Sequence, residues 1–387
     1  MSNKYTLMHK EERVLDFSLD DYGNFNNIYD IYDKAQIPFG VHVDNVHGKF
    51  RELNLWWNSR ALPEQRLRFS NSLLKYDIHN SKELLAKGLG LSLTDQYWIK
   101  PYNQELLWKD VNYFANEYSN KLGLMFLKND VDVDLQQEDF LTPDTSVGGN
   151  LEKRWEKRSG ISYLLKSGSG FSQQEPINEA FISLIYKTID TIPFVEYEIE
   201  RQGNYFLSVC KDFITSDTEF IPAYFVINEE KKKNDISYLE QYKNICKEKG
   251  LENIDVFLDT MLTIDYIVAN QDRHLNNLGI IRDANTLEWI SPAPVFDNGN
   301  SLWFNIPTAD IKGNGEVKTT SFYDTDEQML KHIEKLPDLD YIKIKGLSEK
   351  LSQLLTDANM DSERVTRICE GFEYRVDVIR EKRKHLG

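Results

Sequence analysis

Apolar positions along the chain fall into helical and strand-like spacings mainly after residue 145. Residues 176–190 (PINEAFISLIYKTID) put Ile177, Phe181, Leu184 and Ile185 on one helical face, with Pro176 in the first turn. Residues 236–248 and 256–269 carry the same periodicity, and residues 341–384 read as two helices parted near Asn359-Met360-Asp361. Short β-type runs occupy residues 161–166 (ISYLLK, between Gly160 and Gly168), 195–199 and 205–209, the last two around the turn Gln202-Gly203-Asn204. Residues 279–282 and 287–290 flank a second turn, Asp283-Ala284-Asn285. A β-rich stretch therefore precedes a helical one.

The first 130 residues are less periodic and rich in Tyr, Trp, Phe and Asn. Leu53-Asn54-Leu55-Trp56-Trp57 and Leu106-Leu107-Trp108 read as buried anchors. Residues 81–87 (SKELLAK) predict a short helix with Ser81 as N-cap and Gly88 and Gly90 just beyond its end. No fold follows for this region from residue order. Residues 128–145 (KNDVDVDLQQEDFLTPDT) are acidic and mostly polar, with Pro143-Asp144 near the end, and predict a linker or a loosely packed connection. The expected division is an N-terminal region at 1–135, a β-rich region at 136–221 and a helical region at 222–387, an α+β chain overall.

Composition narrows the function classes. Hydrophobic residues are 41% of 387 and aromatics 12%, enough for sizeable cores. The formal net charge of −16 repels a phosphate backbone, so direct nucleic-acid binding is not expected. Three cysteines, Cys210, Cys246 and Cys369, stand far apart, without the spacing of a disulfide framework or a thiolate zinc site. The chain opens without a signal-peptide pattern, and no apolar run approaches the roughly 18 residues that span a bilayer. A cytoplasmic protein with no membrane association is the expectation.

The chemical signal is Asn270-Gln271-Asp272-Arg273-His274-Leu275-Asn276-Asn277, a polar loop between a predicted helix and a predicted strand. Phosphoryl transfer needs a carboxylate that handles the nucleophile's proton and an oxygen ligand for Mg²⁺, and Asp272 and Asn277, five apart, are of the right types. Asp297 in Pro294-Val295-Phe296-Asp297-Asn298-Gly299 adds a second hard-oxygen ligand. Upstream, Lys166 ends a strand where it can face phosphates, and Glu179 on the next helix can pair with it. Ser146-Val147-Gly148-Gly149, leading to Lys153, has the glycines of a phosphate-covering turn. Taken singly, each element has a plain structural reading: a turn, a strand end, a helix surface charge, a cap. Their joint order carries the functional one.

Asp-x-His-x-x-Asn after a helix, followed by Pro-x-x-Asp, resembles the pattern of HipA-like serine/threonine kinases, and more loosely the Asp-Arg-His-x-x-Asn loop of phosphatidylinositol kinases. The resemblance covers about residues 145–379. It implies a bilobal protein-kinase-like fold, ATP and Mg²⁺ as cofactors, Asp272 as catalytic aspartate, and Asn277 and Asp297 as metal ligands. It further implies Lys166 as the phosphate lysine, a loop at Gly148 and Gly149 over the triphosphate, and His274 bracing the catalytic loop. Ser146 becomes a candidate autophosphorylation site, a protein Ser or Thr the expected acceptor, and a helix-turn-helix antitoxin an expected partner. Arg273 is nearer the lipid-kinase form, which keeps a lipid or small-molecule kinase open beside a pseudokinase.

Overall fold

The computed structural model describes residues 3–43, 50–67, 71–127, 134–170, 172–203, 205–230 and 235–386. The chain is a mixed α+β protein. It divides into two compact units, Met1–Leu165 with Ile214–Phe220 and Asp283–Leu287, and Lys166–Phe213 with Ile221–Arg282 and Glu288–Gly387. Among the described residues no helix is long and apolar enough to cross a membrane.

The first unit is built on a four-stranded antiparallel sheet of β1 (Asn3–His9), β2 (Glu12–Leu19), β3 (Phe25–Ile31) and β4 (Tyr97–Pro101), in the order β3-β2-β1-β4. Leu7 lies opposite Leu15 on one side and Ile99 on the other, and all three are fully buried. Leu53, Trp56, Trp57 and Trp108 are buried as expected of anchors, whereas Leu55 and Leu107 of the same runs are exposed. The helix Ser81–Lys87 forms as expected, but its cap is Asn80, whose side chain accepts from the N–H groups of Lys82 and Glu83. Ser81 has helical geometry, and its hydroxyl is turned instead to Glu64 at 2.7 Å. Asn80 takes the cap because its extended backbone (φ −151°, ψ 168°) aims its side-chain oxygen at the first free N–H groups, whereas Ser81 already lies within the helix.

The predicted linker needs correction. Residues 128–133 lie outside the described residues, but residues 137–145 form two tight 3₁₀ turns, with Phe140, Thr142, Asp144 and Thr145 buried. Phe140 joins an apolar cluster with Leu84, Leu122 and Phe126. Asp144 accepts from the Trp155 N–H at 2.8 Å, and burial pushes its carboxyl up to about 7 despite that bond and the nearby Arg66 and Arg154. The acidic look of the stretch concealed carboxylates with buried partners. The unit continues into β5 (Lys153–Arg158) and β6 (Ile161–Ser167), and its boundary falls inside β6.

The second unit holds the hairpin β7 (Tyr197–Gln202) and β8 (Tyr205–Lys211), in register from Tyr197 opposite Cys210 to Gln202 opposite Tyr205. Asn204 of the predicted turn lies outside the described residues. The strand foreseen at 195–199 starts later because Phe194 and Val295 form an isolated parallel bridge instead. The helix Gln174–Ile189 begins two residues ahead of Pro176, whose missing N–H still falls in the first turn where no partner is needed. Helices Tyr238–Glu248 and Ile254–Ile267 and strands Gly279–Asp283 and Trp289–Pro292 lie close to their expected positions. The tail is three helices, Tyr341–Gly346, Ser348–Asp357 and Ser362–Leu386, with the expected break at Asn359, whose φ is +58°.

Candidate functional site

Lys166 is buried near the end of β6. Its ammonium donates to Glu179 Oε1 at 2.6 Å and to Asp297 Oδ1 at 2.7 Å. Burial opposes the charge, but the carboxylates of Asp297 and Glu179 outweigh it and hold the ammonium well above the ordinary lysine range. Glu179 projects from the helix Gln174–Ile189, and its second oxygen accepts from Ser208 Oγ on β8. Two side chains far apart in sequence thus converge on one cation through charge-assisted hydrogen bonds.

Asp297 adopts φ +57°, the left-handed region that non-glycine residues seldom occupy. Its N–H donates to the Tyr197 hydroxyl at 3.2 Å. The segment after it is fixed to the Glu179 helix by Asn178, whose amide donates to the carbonyls of Gly299 at 2.7 Å and Ser301 at 2.8 Å. A Cβ at Gly299 would stand 3.1 Å from that of Glu175, so glycine permits the approach. Strain of this kind persists only where surroundings over-determine it, as here.

The polar loop is organised by Arg273, which is fully buried. Its Nε and Nη2 grip both oxygens of Asp265 at 2.9 and 3.0 Å. Its Nη1 donates to the carbonyls of Asn277 at 3.0 Å and Phe296 at 2.6 Å, and Nη2 also donates to Asn298 Oδ1. One guanidinium therefore links the Asp272 loop to the Asp297 segment. Burial opposes its charge, but Asp265 overrides that and raises its pKa further.

Within the loop, the Asn277 side-chain amide donates to the Asp272 carbonyl at 2.9 Å and the Asn277 N–H to the His274 carbonyl at 2.7 Å. His274 Nδ1 accepts from the Asn276 N–H at 3.2 Å. Since the Asn277 nitrogen is committed, its Oδ1 is the atom suited to a hard cation. Asp272 Oδ2 accepts from Asn300 Nδ2 at 2.7 Å, and Oδ1 from Thr320 Oγ1 at 3.2 Å. Its own N–H donates to Asn270 Oδ1 at 2.9 Å.

The structure thus places both Glu179 and Asp297 in contact with Lys166, and Asp272, His274 and Asn277 in one closed loop. The Asp297 carboxylate and the Asn277 amide oxygen are of the type that Mg²⁺ prefers and could serve as its ligands. Among the described residues no group of three or more His, Cys, Asp and Glu forms a self-sufficient metal site, and a cation shared with phosphates requires none.

Ser146, Val147, Gly148, Gly149 and Lys153 belong to the first unit. Gly148 and Gly149 are exposed, and Gly149 has φ +85° with the Lys153 ammonium where a Cβ would sit. Val147 and Lys153 carbonyls both accept from Arg66, at 2.8 and 2.9 Å. Ser146 is buried, and its hydroxyl donates to the Pro143 carbonyl at 3.1 Å, so its modification requires that turn to open. A cleft of about 760 Å³ in the same unit, bordered by Asp20, Asp77, Glu83 and Glu138, contains none of the predicted site residues. The hydrogen-bonded clusters outweigh this cleft as a candidate site, because its lining sets the carboxylates of Asp20, Asp21, Asp77, Glu83 and Glu138 against the one lysine Lys87, an acidic balance that repels phosphate.

Residue order missed Asp265, Asn178, Asn300 and Thr320. Asp265 left a signal: an acid in the otherwise apolar run MLTIDYI needs a buried cation. Asn178, Asn300 and Thr320 left none, since each acts through contacts distant in sequence.

No family model matches the chain. Serine/threonine-protein kinase CtkA of Helicobacter pylori (strain J99) is 29% identical over 116 residues, 28% of this chain and 34% of that protein. The match spans about a third of that curated relative's length. A crystal structure of a Helicobacter pylori proinflammatory kinase CtkA aligns with 62% of this chain and 94% of its own at 18% identity and a TM-score of 0.47. HipA of the Shewanella oneidensis MR-1 toxin–antitoxin system, solved with HipB and operator DNA, aligns with 98% of this chain and 99% of its own at 11% identity and a TM-score of 0.55. That likeness is one of fold, and at such coverage it takes in the N-terminal region to which residue order assigned none.

Proposed function

The chain resembles the HipA-like kinases in its motifs and in its fold, and from that premise we propose that it is an ATP-dependent kinase acting on a protein Ser or Thr hydroxyl. The observation that carries the proposal is the bridging of Lys166 to both Glu179 and Asp297, on a segment that Arg273 ties to the Asp272 loop. In this reading Glu179 holds Lys166 in place, and the lysine neutralises phosphate oxygens. Asn277 and Asp297 would hold Mg²⁺, which supplies charge neutralisation at the phosphates when bound. Asp272, oriented by Asn300, receives the acceptor's proton. His274 braces the loop through its carbonyl and ring nitrogen. The bilobal arrangement of the kinase fold belongs to the same proposal.

Arg273 does not favour a lipid acceptor, because its guanidinium is buried and fully engaged with Asp265, Asn298 and two carbonyls. A toxin role with a helix-turn-helix partner is proposed from the fold neighbour, whose own complex contains HipB and DNA. Co-expression with a neighbouring helix-turn-helix gene product, followed by co-purification, tests that extension.

The central test is Asp272→Asn. Phosphoryl transfer to a protein panel should fall by about 10²–10⁴-fold, with Mg-ATP affinity largely kept. Wild-type activity in this variant would remove Asp272 from the chemistry. Transfer to lipids alone would redirect the acceptor assignment.

A further inference from the structure

Thr320 brings a hydroxyl of the chain itself onto the carboxylate that the proposed chemistry reserves for the acceptor. Residues 317–326 make a closed turn. Lys318 and Thr325 form an isolated antiparallel bridge, and the Thr319 N–H donates to the Asp324 carbonyl at 2.9 Å. At the base, Val317 and Asp326 exchange hydrogen bonds, both 2.9 Å, and the buried Asp326 is ion-paired with Arg375 Nη1 at 2.5 Å. The base is fixed in the core, whereas Thr320 near the tip is exposed. Its N–H donates to the Gln271 carbonyl at 3.1 Å, and its Oγ1 lies 3.2 Å from Asp272 Oδ1 and 3.3 Å from the Gln271 carbonyl.

The neighbouring hydroxyls are differently engaged. Thr319 Oγ1 donates to the Tyr323 carbonyl at 2.6 Å inside the turn, and Ser321 Oγ is sealed from solvent. Ser146, the hydroxyl singled out by resemblance, is buried against Pro143. Thr320 alone among these donates to Asp272, and at a distance from which a carboxylate can act as general base. Asn300 holds the other oxygen, leaving Oδ1 turned to the threonine.

Resting on the kinase reading above, we infer that Thr320 is a phosphorylation site served by this chain's own centre, with the 317–326 turn presenting it as an acceptor. The Thr320 Oγ1 forms a bond to the γ-phosphorus of ATP. The bond from that phosphorus to the β,γ-bridging oxygen breaks, its electron pair leaves with ADP, and the hydroxyl proton passes to Asp272 and then to solvent. The product places close to two negative charges beside the Asp272 carboxylate. Repulsion then drives the tip away and uncovers Asp272 for another acceptor. The plainer account is a threonine that merely pins the turn to the loop; that account requires no phosphate and no charge-dependent release.

The test begins with phosphatase-treated full-length chain incubated with Mg-ATP and mapped by peptide mass spectrometry. Phosphate on Thr320, absent from Asp272→Asn and from Thr320→Val, is the expected result. Phosphate on an added protein or on another residue, with Thr320 unmodified, overturns the inference and leaves the kinase reading standing. No phosphate anywhere, with no stabilisation by Mg-ATP, overturns both. A nucleotide-free measurement tests the release. Amide exchange across 317–326 should be roughly fivefold faster in Thr320→Glu than in Thr320→Val, the margin set by one added charge near Asp272. Equal exchange in the two variants overturns the charge-driven step.

Discussion

Asp144 shows how much a single side chain's environment can hide from its sequence context. It stands in an acidic, polar stretch, yet it is fully buried and its carboxyl is pushed up to about 7 by burial. Because the folded value lies above the unfolded one, the folded chain keeps a proton that the unfolded chain has released across the interval between them. Stability from this group is therefore fully present below the ordinary carboxylate value and falls as pH rises through about 7. The loss is roughly 4 kcal/mol at most, because each tenfold change in proton affinity between the two states is worth about 1.36 kcal/mol. Asp144→Asn keeps the shape and cannot ionise. Urea midpoints at pH 5 and pH 8 should differ clearly in the wild type and much less in the variant. A wild-type midpoint that rises with pH, to the same extent in both proteins, would remove Asp144 as the cause. The linker reading failed for the same reason: Arg66 and Arg154 lie outside the stretch, so nothing within it announces partners.

Elements were more legible than the ties between them. Periodicity located the helices Gln174–Ile189 and Ile254–Ile267 to within a few residues, because a buried helical stripe writes itself directly into residue spacing. Caps and strand ends were displaced, as at Asn80 and β7, because they depend on one hydrogen bond or one tertiary bridge. Residue order offered Lys166, Glu179, Asp272, Asn277 and Asp297 as candidates by type and sequence order, and the contacts of Lys166 with Glu179 and Asp297 are what the structure adds. The clamp joining them was not legible. Arg273 entered as a hint about the acceptor and is instead the bolt between the loop and the Asp297 segment. Arg273→Lys keeps the charge but loses the planar fork, so it cannot grip Asp265 while reaching two carbonyls. We expect about 3 kcal/mol of destabilisation from a buried pair left incompletely matched, read from urea unfolding at constant m-value. A change below about 0.5 kcal/mol, the range of ordinary surface substitutions, would show that the clamp does not hold the segments.

At the scale of the whole molecule, the net charge of −16 disfavours broad phosphate-backbone binding, but it does not set the charge at one site. Lys166 is a buried cation whose local partners are two carboxylates, so an incoming phosphate competes with Asp297 for it. Asp297 would be relieved of that competition if it held a cation bound with the phosphates, so the proposal requires nucleotide and Mg²⁺ to bind together. The expected consequence is stabilisation by Mg-ATP that neither component gives alone, about 2.7 kcal/mol at a hundredfold excess over Kd. Asp272→Asn should keep this gain, since Asp272 is assigned to the acceptor's proton. Asp297→Asn should lose most of it, since it removes the charge assigned to the metal. Thermal melts of the three proteins with ATP, with Mg²⁺ and with both separate these roles. Equal stabilisation by ATP with and without Mg²⁺ would take Asp297 out of the metal site. Full retention of the gain in Asp297→Asn would do the same, and would leave its ion pair with Lys166 as a structural contact.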